Sequence, residues 1–198
     1  MLRNKLEKYS KKKIILITGS SKGIGYYLTK YYIKKNCLVV GCSRAKNNFK
    51  NKNYYHYTLD ISDENKVVKM FKDIRVKFKK LDVLINNAGV ASMNHSLLTP
   101  MTTVKKILNT NIEGTFLMSR EASKIMQYNK SGRIVNFSSV AAPLNLEGEA
   151  IYAASKSAVV SLTKTLAKEL GEFGITVNAI GPTPVKTDLI KNVPKKKI

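Results

Sequence analysis

Apolar and polar positions along this chain switch between two periods. Ile14–Thr18 is a continuous apolar run, as in a strand buried on both faces, and a helical stretch over about 24–35 follows it. Residues 37–42 and 54–59 read as a second and third strand. Ser62-Asp63-Glu64 marks a helix start, with an N-cap candidate and acids in the first turn. Val67, Val68, Phe71, Ile74 and Phe78 then recur at three- and four-residue spacing, the stripe of a helix packed on one face. Val83–Asn86 is a fourth strand, 102–127 a helix bent near Gly114, 133–137 a fifth strand, 150–173 a long helix and 176–180 a sixth strand. Strands alternating with helices call for right-handed crossovers. The expected architecture is therefore α/β: one domain with a doubly wound parallel sheet and a ligand crevice at the carboxyl ends of its strands.

Composition narrows the class. At 198 residues, 43% hydrophobic, the chain can bury a sizeable core in a single domain, 1–198. Residues 46–53 are polar and expected as a surface loop, and 191–198 as a frayed basic end. No apolar run approaches the roughly 18–20 residues that span a bilayer. The basic start, 1–13, precedes only a short apolar stretch, too short for a secretory leader, so the expectation is a soluble, cytoplasmic protein without membrane contact. Cys37 and Cys42, expected on one strand with side chains on opposite faces, are read as packing residues. With two distant histidines, His56 and His95, they offer no metal-ligand spacing, so no metal is expected.

Lys and Arg total 35 against 13 Asp and Glu, a net charge of +22. The excess runs through both halves of the chain rather than one arm. No nucleic-acid-binding motif accompanies it, so no specific nucleic-acid partner is expected. A basic surface would also suit an acidic carrier.

Two motifs carry the chemistry. Thr18-Gly19-Ser20-Ser21-Lys22-Gly23-Ile24-Gly25 joins the first strand to the first helix. Glycines let the backbone turn tightly and approach a pyrophosphate, and the helix start supplies unpaired N–H groups and a positive dipole end. The second strand ends at Gly41-Cys42-Ser43-Arg44, without the acid that would bind the ribose hydroxyls of NAD. Arg44 offers a guanidinium to a 2′-phosphate and Lys22 a second cation, which favours NADP(H) over NAD(H). Far downstream, Tyr152-Ala153-Ala154-Ser155-Lys156 places Tyr152 and Lys156 at i and i+4 on one helix face. An ammonium beside a tyrosine lowers the phenol's pKa from about 10 toward the working range. Such a pair alone is common on surfaces.

Together, in this order and separation, the two motifs resemble the single-domain short-chain dehydrogenase/reductase family, over about residues 13–190. The resemblance implies a Rossmann fold and an oxidoreductase moving hydride between NADP(H) and a carbonyl or alcohol. It places Asp60 and Ile61 at the adenine, and Asn87, Ala88 and Gly89, within Asn86-Asn87-Ala88-Gly89, beside the cofactor. Ser139, thirteen residues before Tyr152, matches the substrate-orienting serine, and Asn111 the asparagine of the proton relay. In the implied mechanism Tyr152 is the general acid, Ser139 bonds the substrate oxygen, Lys156 holds the nicotinamide ribose and keeps Tyr152 acidic, and Asn111 positions a water. Pro182, Val185 and Thr187 fall where the family meets the nicotinamide amide, although Pro182-Thr183 replaces the usual Pro-Gly.

The family also continues past the point where this sequence stops, through a substrate-covering helix pair and a seventh strand. The final strand and lid are thus expected to be missing, as in a fragment or a shortened member. Three readings stay open. The first is a carbonyl reductase, closest in pattern to 3-oxoacyl-carrier-protein reductases, with reduction of a keto-sugar or another small ketone as its rival. The second is a non-catalytic dinucleotide-binding or regulatory protein. The third is a polyanion binder acting through charge. The helix bearing Ala158, Val159, Leu162, Leu166 and Leu170 carries an apolar stripe that fits either the core or the helix through which family members pair, and a homodimer or homotetramer is expected.

Overall fold

The apolar runs decide the centre of the molecule. In the computed structural model, which describes residues 11–187, β1 (Ile14–Thr18) and β2 (Leu38–Ser43) are buried at every position. Strands with no exposed face need cover on both sides, and here they sit inside a six-stranded sheet ordered β3-β2-β1-β4-β5-β6. The others are β3 (Tyr54–Thr58), β4 (Val83–Asn86), β5 (Gly132–Phe137) and β6 (Ile175–Ile180). Every pairing is parallel, with Leu16 opposite Val40 on one side and Leu84 on the other. Winding runs outward from β1 to β3, then returns to β4 beside β1 and continues the other way. That reversal opens the sheet between the ends of β1 and β4.

Side-chain alternation assigns the helices to faces. Ile14, Leu16, Leu38, Val40, Cys42, Leu84, Ile134 and Val177 point to one side. There they pack on α2 (Glu64–Phe78), α4 (Gly114–Met126) and α6 (Ala150–Gly171) through Val67, Phe71, Ile74, Met118, Ile125 and Leu166. Ile15, Ile17, Val39 and Ile85 point to the other side, against Leu28, Tyr32 and Ile33 of α1 (Gly23–Lys34). Cys37, just ahead of β2, joins this second cluster and Cys42 the first, so opposite faces of the sheet separate the two free thiols. The Asp63 carboxylate caps α2, accepting from the Lys66 backbone N–H at 3.1 Å.

Two features differ from the expectation. The helix over 102–127 is α3 (Met101–Leu108), a π-helical turn at Asn109–Glu113, then α4. The irregularity therefore precedes Gly114, and it turns the Asn111 side chain inward, where it is 1% exposed. Nothing in the apolar stripe marks that extra residue. β6 also alternates, with Ile175 and Val177 buried and Thr176, Asn178 and Ile180 exposed, so among the described residues its second face lies bare. The expected frayed end at 191–198 lies outside the described residues, as does most of the basic start.

Leu84 lies fully buried on the central strand between β1 and β5. We expect Leu84→Ala to cost about 3 kcal/mol, read as a lower urea midpoint by circular dichroism with an unchanged slope. A shift under a third of that size would show that the sheet relaxes around the cavity.

Candidate active site

A cleft of about 510 Å³ occupies the gap where the winding reverses. Its floor is the turn from β1 into α1. Gly19 takes φ +69°, and a Cβ there would meet Asn87 Nδ2 at 2.9 Å. Gly25 lies behind the cleft wall, where a Cβ would come within 2.4 Å of the Gly19 carbonyl oxygen, so α1 packs against the turn only because that position is glycine. Lys22 stands at the N-cap of α1 and supplies no side-chain cap to its first turn. Asn87 Nδ2 donates to the Thr18 and Gly19 carbonyls at 2.9 and 3.3 Å, and the Ala88 N–H donates to Thr18 Oγ1 at 2.8 Å. These bonds lock the end of β4 to the end of β1.

The cleft gathers most of the positions assigned from sequence. Gly19, Ser21, Lys22, Gly23 and Ile24 line one wall, and Ser43 and Arg44 a second. Asp60 and Ile61 line a third, and Asn87, Ala88, Gly89 and Thr187 complete it. Asp60 turns one carboxylate oxygen back to the Ser62 N–H and hydroxyl, at 3.0 and 2.8 Å. Sequence reasoning missed Cys42, Ala45, Leu59, Val90, Ala91, Lys106 and Thr110 in the same lining. Most of these neighbour assigned residues, but Lys106 and Thr110 arrive on α3 and the π turn, and no sequence signal aimed them here.

A second cavity of about 160 Å³ continues from the first, sharing Ile24, Asn87, Gly89, Ala91 and Thr187 with it. Ser139, Tyr152, Lys156, Pro182 and Val185 all line it. Its remaining walls are largely apolar, with Val140, Ala141, Leu146 and Pro184 alongside Ser138, Thr183 and Glu149. Ser138 Oγ donates to the Lys156 carbonyl at 3.0 Å, pinning α6 to the end of β5. Ser139 opens the short helix α5 (Ala141–Leu144), its Oγ accepting from the Ala141 N–H at 3.2 Å.

Asn111 supports this wall from below. Its Oδ1 accepts from the Val90 N–H at 2.9 Å, and its Nδ2 donates to the Val90 carbonyl at 2.9 Å and to Ser155 Oγ at 3.0 Å. Ser155 donates in turn to the Tyr152 carbonyl at 2.7 Å. The loop after β4 and the Tyr152 turn of α6 are therefore held by one amide, with both of its N–H donors used.

Burial dominates the electrostatics of the Tyr152–Lys156 pair. Lys156 Nζ donates to the Phe137 carbonyl at 2.7 Å and sits 5.8 Å from the centre of the Tyr152 ring. Burial pushes the Tyr152 phenol above its ordinary range, with Glu149 adding to the rise and a hydrogen bond with Ser139 opposing it. Lys156 itself is brought down to about 8 by burial. The Tyr152 phenol, raised by burial, is therefore protonated at neutral pH.

Comparison with known proteins agrees with this geometry. Residues 13–198 match the family model described as short chain dehydrogenase. The chain belongs to the short-chain dehydrogenase family. As a short-chain dehydrogenase it is an NAD(P)-dependent oxidoreductase. It is 30% identical over 185 residues to the 3-oxoacyl-acyl-carrier-protein reductase of Salmonella typhimurium, covering 90% of this chain and 76% of the relative. The corresponding reductase of Buchnera aphidicola (subspecies Schizaphis graminum) is 33% identical over 188 residues, covering 92% and 77%. Among solved structures, ElxO with NADP bound superposes with a TM-score of 0.86 at 35% identity, over 94% of this chain and 80% of that one. The 3-ketoacyl-acyl-carrier-protein reductase of Brucella melitensis, complexed with NADH, gives 0.86 at 31% identity, over 90% and 78%. Among the described residues of this short-chain dehydrogenase, no helix is long and apolar enough to cross a membrane.

The buried ammonium makes stability depend on pH. Lys156 titrates near 8 in the fold against an ordinary 10.5, so between those values the unfolded chain holds more protons and stability rises with pH. Below 8 both states are charged and the burial cost is full. Lys156→Met removes this term. Relative to the unaltered chain, the variant should lose on the order of 2 kcal/mol as pH rises from 8 to 10, measured by urea unfolding at each pH. Parallel pH profiles for the two chains would show that the ammonium is not desolvated.

Proposed function

We propose that this protein reduces a carbonyl group with NADP(H), and that its substrate is a 3-oxoacyl chain presented on an acidic carrier protein. The observation that carries the reading is the junction of the two cavities. A protonated, half-buried phenol at Tyr152 with Ser139 beside it opens directly onto the glycine-lined cleft. Bound nicotinamide would supply the hydride. The residues fit such a group, since the turn at Gly19 and the start of α1 leave the backbone open to a pyrophosphate. Tyr152 gives its proton to the substrate oxygen as negative charge develops there, and Ser139 Oγ bonds the same oxygen. Lys156, at the cavity floor beside Gly89, holds the ribose and steadies the phenolate left behind. A water linking Lys156 to solvent would use the Asn111 backbone carbonyl, because the side-chain donors are committed to Val90 and Ser155.

NADP(H) over NAD(H) is supported by the cleft lip, where Ser43 and Arg44 stand in place of an acid, and by the NADP-bound neighbour ElxO. The acyl-carrier substrate is supported by the reductases the chain resembles, by apolar walls that suit an acyl chain and by the net charge of +22. The small volume of the second cavity, about 160 Å³, favours a short-chain or small ketone as the alternative.

Tyr152→Phe should lower reduction of an acetoacetyl thioester by at least about 100-fold while NADPH affinity, followed by nucleotide fluorescence, stays within a few-fold. Retained turnover would remove Tyr152 as the acid, and lost NADPH binding would make its role structural. Arg44→Ala should weaken NADPH by about tenfold or more and leave NADH nearly unchanged. Equal weakening of both nucleotides would remove Arg44 as the reader of the 2′-phosphate.

A further inference from the structure

Behind the cleft lip lies a polar cluster that the reaction does not use. Tyr54 and His56 sit on β3, Ser20 in the glycine loop, and Ser43, Ala45 and Asn47 at and after the end of β2. Their hydrogen bonds have a determined direction. Ser43 Oγ donates to the Ala45 carbonyl at 2.8 Å. His56 Nε2 faces the same carbonyl at 3.2 Å and Ser43 Oγ at 3.3 Å. A carbonyl oxygen only accepts, so Nε2 carries the proton. Burial holds His56 below its ordinary pKa, so the ring is neutral and Nδ1 accepts. The Tyr54 hydroxyl, 2.9 Å away, must then donate to it. That leaves the Tyr54 oxygen to accept from Asn47 Nδ2 at 3.2 Å and from the Ser20 hydroxyl at 3.1 Å. Asn47 Nδ2 also reaches the Ser20 carbonyl at 3.3 Å.

The chain is built around this cluster. Gly41, opposite His56 in the sheet, is where the Tyr54 hydroxyl meets Ser20, and a Cβ there would lie 2.3 Å from both oxygens. Phe49 covers the cluster from the loop, its ring edge-on to Tyr54 at 5.5 Å and to Tyr26 at 6.0 Å. An imidazole that bonds Ser43 and Ala45 holds both neighbours of Arg44, whose own side chain is exposed and extends from that short span.

We propose that His56, through the Tyr54 hydrogen-bond chain, is a positioning residue that fixes the backbone around Arg44 and so sets the preference for a 2′-phosphorylated nucleotide. The inference rests on the NADP(H) reading of the same cleft. A long cationic side chain on an unanchored loop meets a phosphate at the cost of ordering both, whereas anchored neighbours leave only the guanidinium to settle. The relayed bond to Ser20 ties that loop to the glycine turn, so the two phosphate-facing segments keep a fixed separation.

The test uses 2′,5′-ADP and ADP as probes, which share the adenosine and differ at the 2′ position, with binding measured by calorimetry. His56→Ala should weaken 2′,5′-ADP about tenfold and ADP less than threefold, with the thermal midpoint followed in parallel. In His56→Gln the amide can accept from Tyr54 with Oε1 and donate to Ala45 with Nε2, so this variant should recover most of the lost preference. Equal weakening of both probes, or no rescue by Gln, would overturn the proposal in favour of a purely structural His56. A preference unchanged in His56→Ala would overturn it outright. If the unaltered protein itself fails to prefer 2′,5′-ADP, the NADP(H) reading fails first, a result separate from any effect of His56.

Discussion

Thr18 and Asn87 make the contact on which both halves of the site depend. A parallel sheet that reverses its winding parts its strands at the reversal, and something must fix the width of that gap. Here one amide and one hydroxyl do so, bonding across from the end of β4 to the end of β1. All three bonds use backbone groups that a strand pairing would otherwise have satisfied. Burial of those groups makes the bonds costly to break. Gly19 and Gly25 then admit the Asn87 side chain where any Cβ would collide with it. The cleft is open because its two lips are tied below the opening.

The groups around the second cavity are held by a similar economy. Inside the sheet Asn86, Asn136, Ser119 and Thr163 form a buried polar ladder. Asn86 Nδ2 donates to Ser119 and Asn136, and Asn136 Nδ2 to Thr163. It joins β4 and β5 to α4 and α6, which carry the π turn and Tyr152 at their site ends. Such a network costs stability unless it is nearly satisfied, and it is: Asn86 Oδ1 is the single buried side-chain nitrogen or oxygen without a hydrogen-bond partner among the described residues. The same helix accepts a second cost in Lys156, 5% exposed and with its ammonium on a backbone carbonyl. An aliphatic residue would pack there at less expense. The fold alone therefore gives no reason for a lysine at this position.

What could be read from sequence follows this division. The strands and their order of burial were legible because a parallel strand has no polar face to interrupt the run, as at Ile14–Thr18. The glycine turn and the Tyr152–Lys156 pair were legible because their chemistry is confined to a few residues at fixed spacing. The π turn was not, because an inserted residue leaves the apolar stripe on either side intact and shows only in where Asn111 points. Lys106 was hidden for the same reason: its place beside the cleft depends on how α3 enters that turn. Residues 46–53 read as a polar surface loop, and most of their side chains are outward, yet Asn47 and Phe49 turn in to meet Tyr54. Spacing along one segment carries no information about a partner on another strand. Burial of Tyr152 is not legible on similar grounds, since an i, i+4 spacing fixes proximity to Lys156 but not the burial that raises the phenol.

The net charge of +22 invites an electrostatic explanation for any phosphate preference, but the magnitudes argue for a local one. At physiological ionic strength exposed charges are screened over about 8 Å. Lysines scattered over both halves of the chain therefore raise the local concentration of any anion, and a dinucleotide with or without a 2′-phosphate shares in that. Discrimination between the two needs a donor that meets the extra phosphate and little else, in a fixed geometry. Under the proposal above Arg44 would supply that fork, and on either side of it Ser43 Oγ and the Ala45 carbonyl bond an imidazole that the Tyr54 hydroxyl holds in turn. Diffuse charge can draw the nucleotide to the cleft; under the proposal above, the anchored span at the end of β2 would tell the two forms apart.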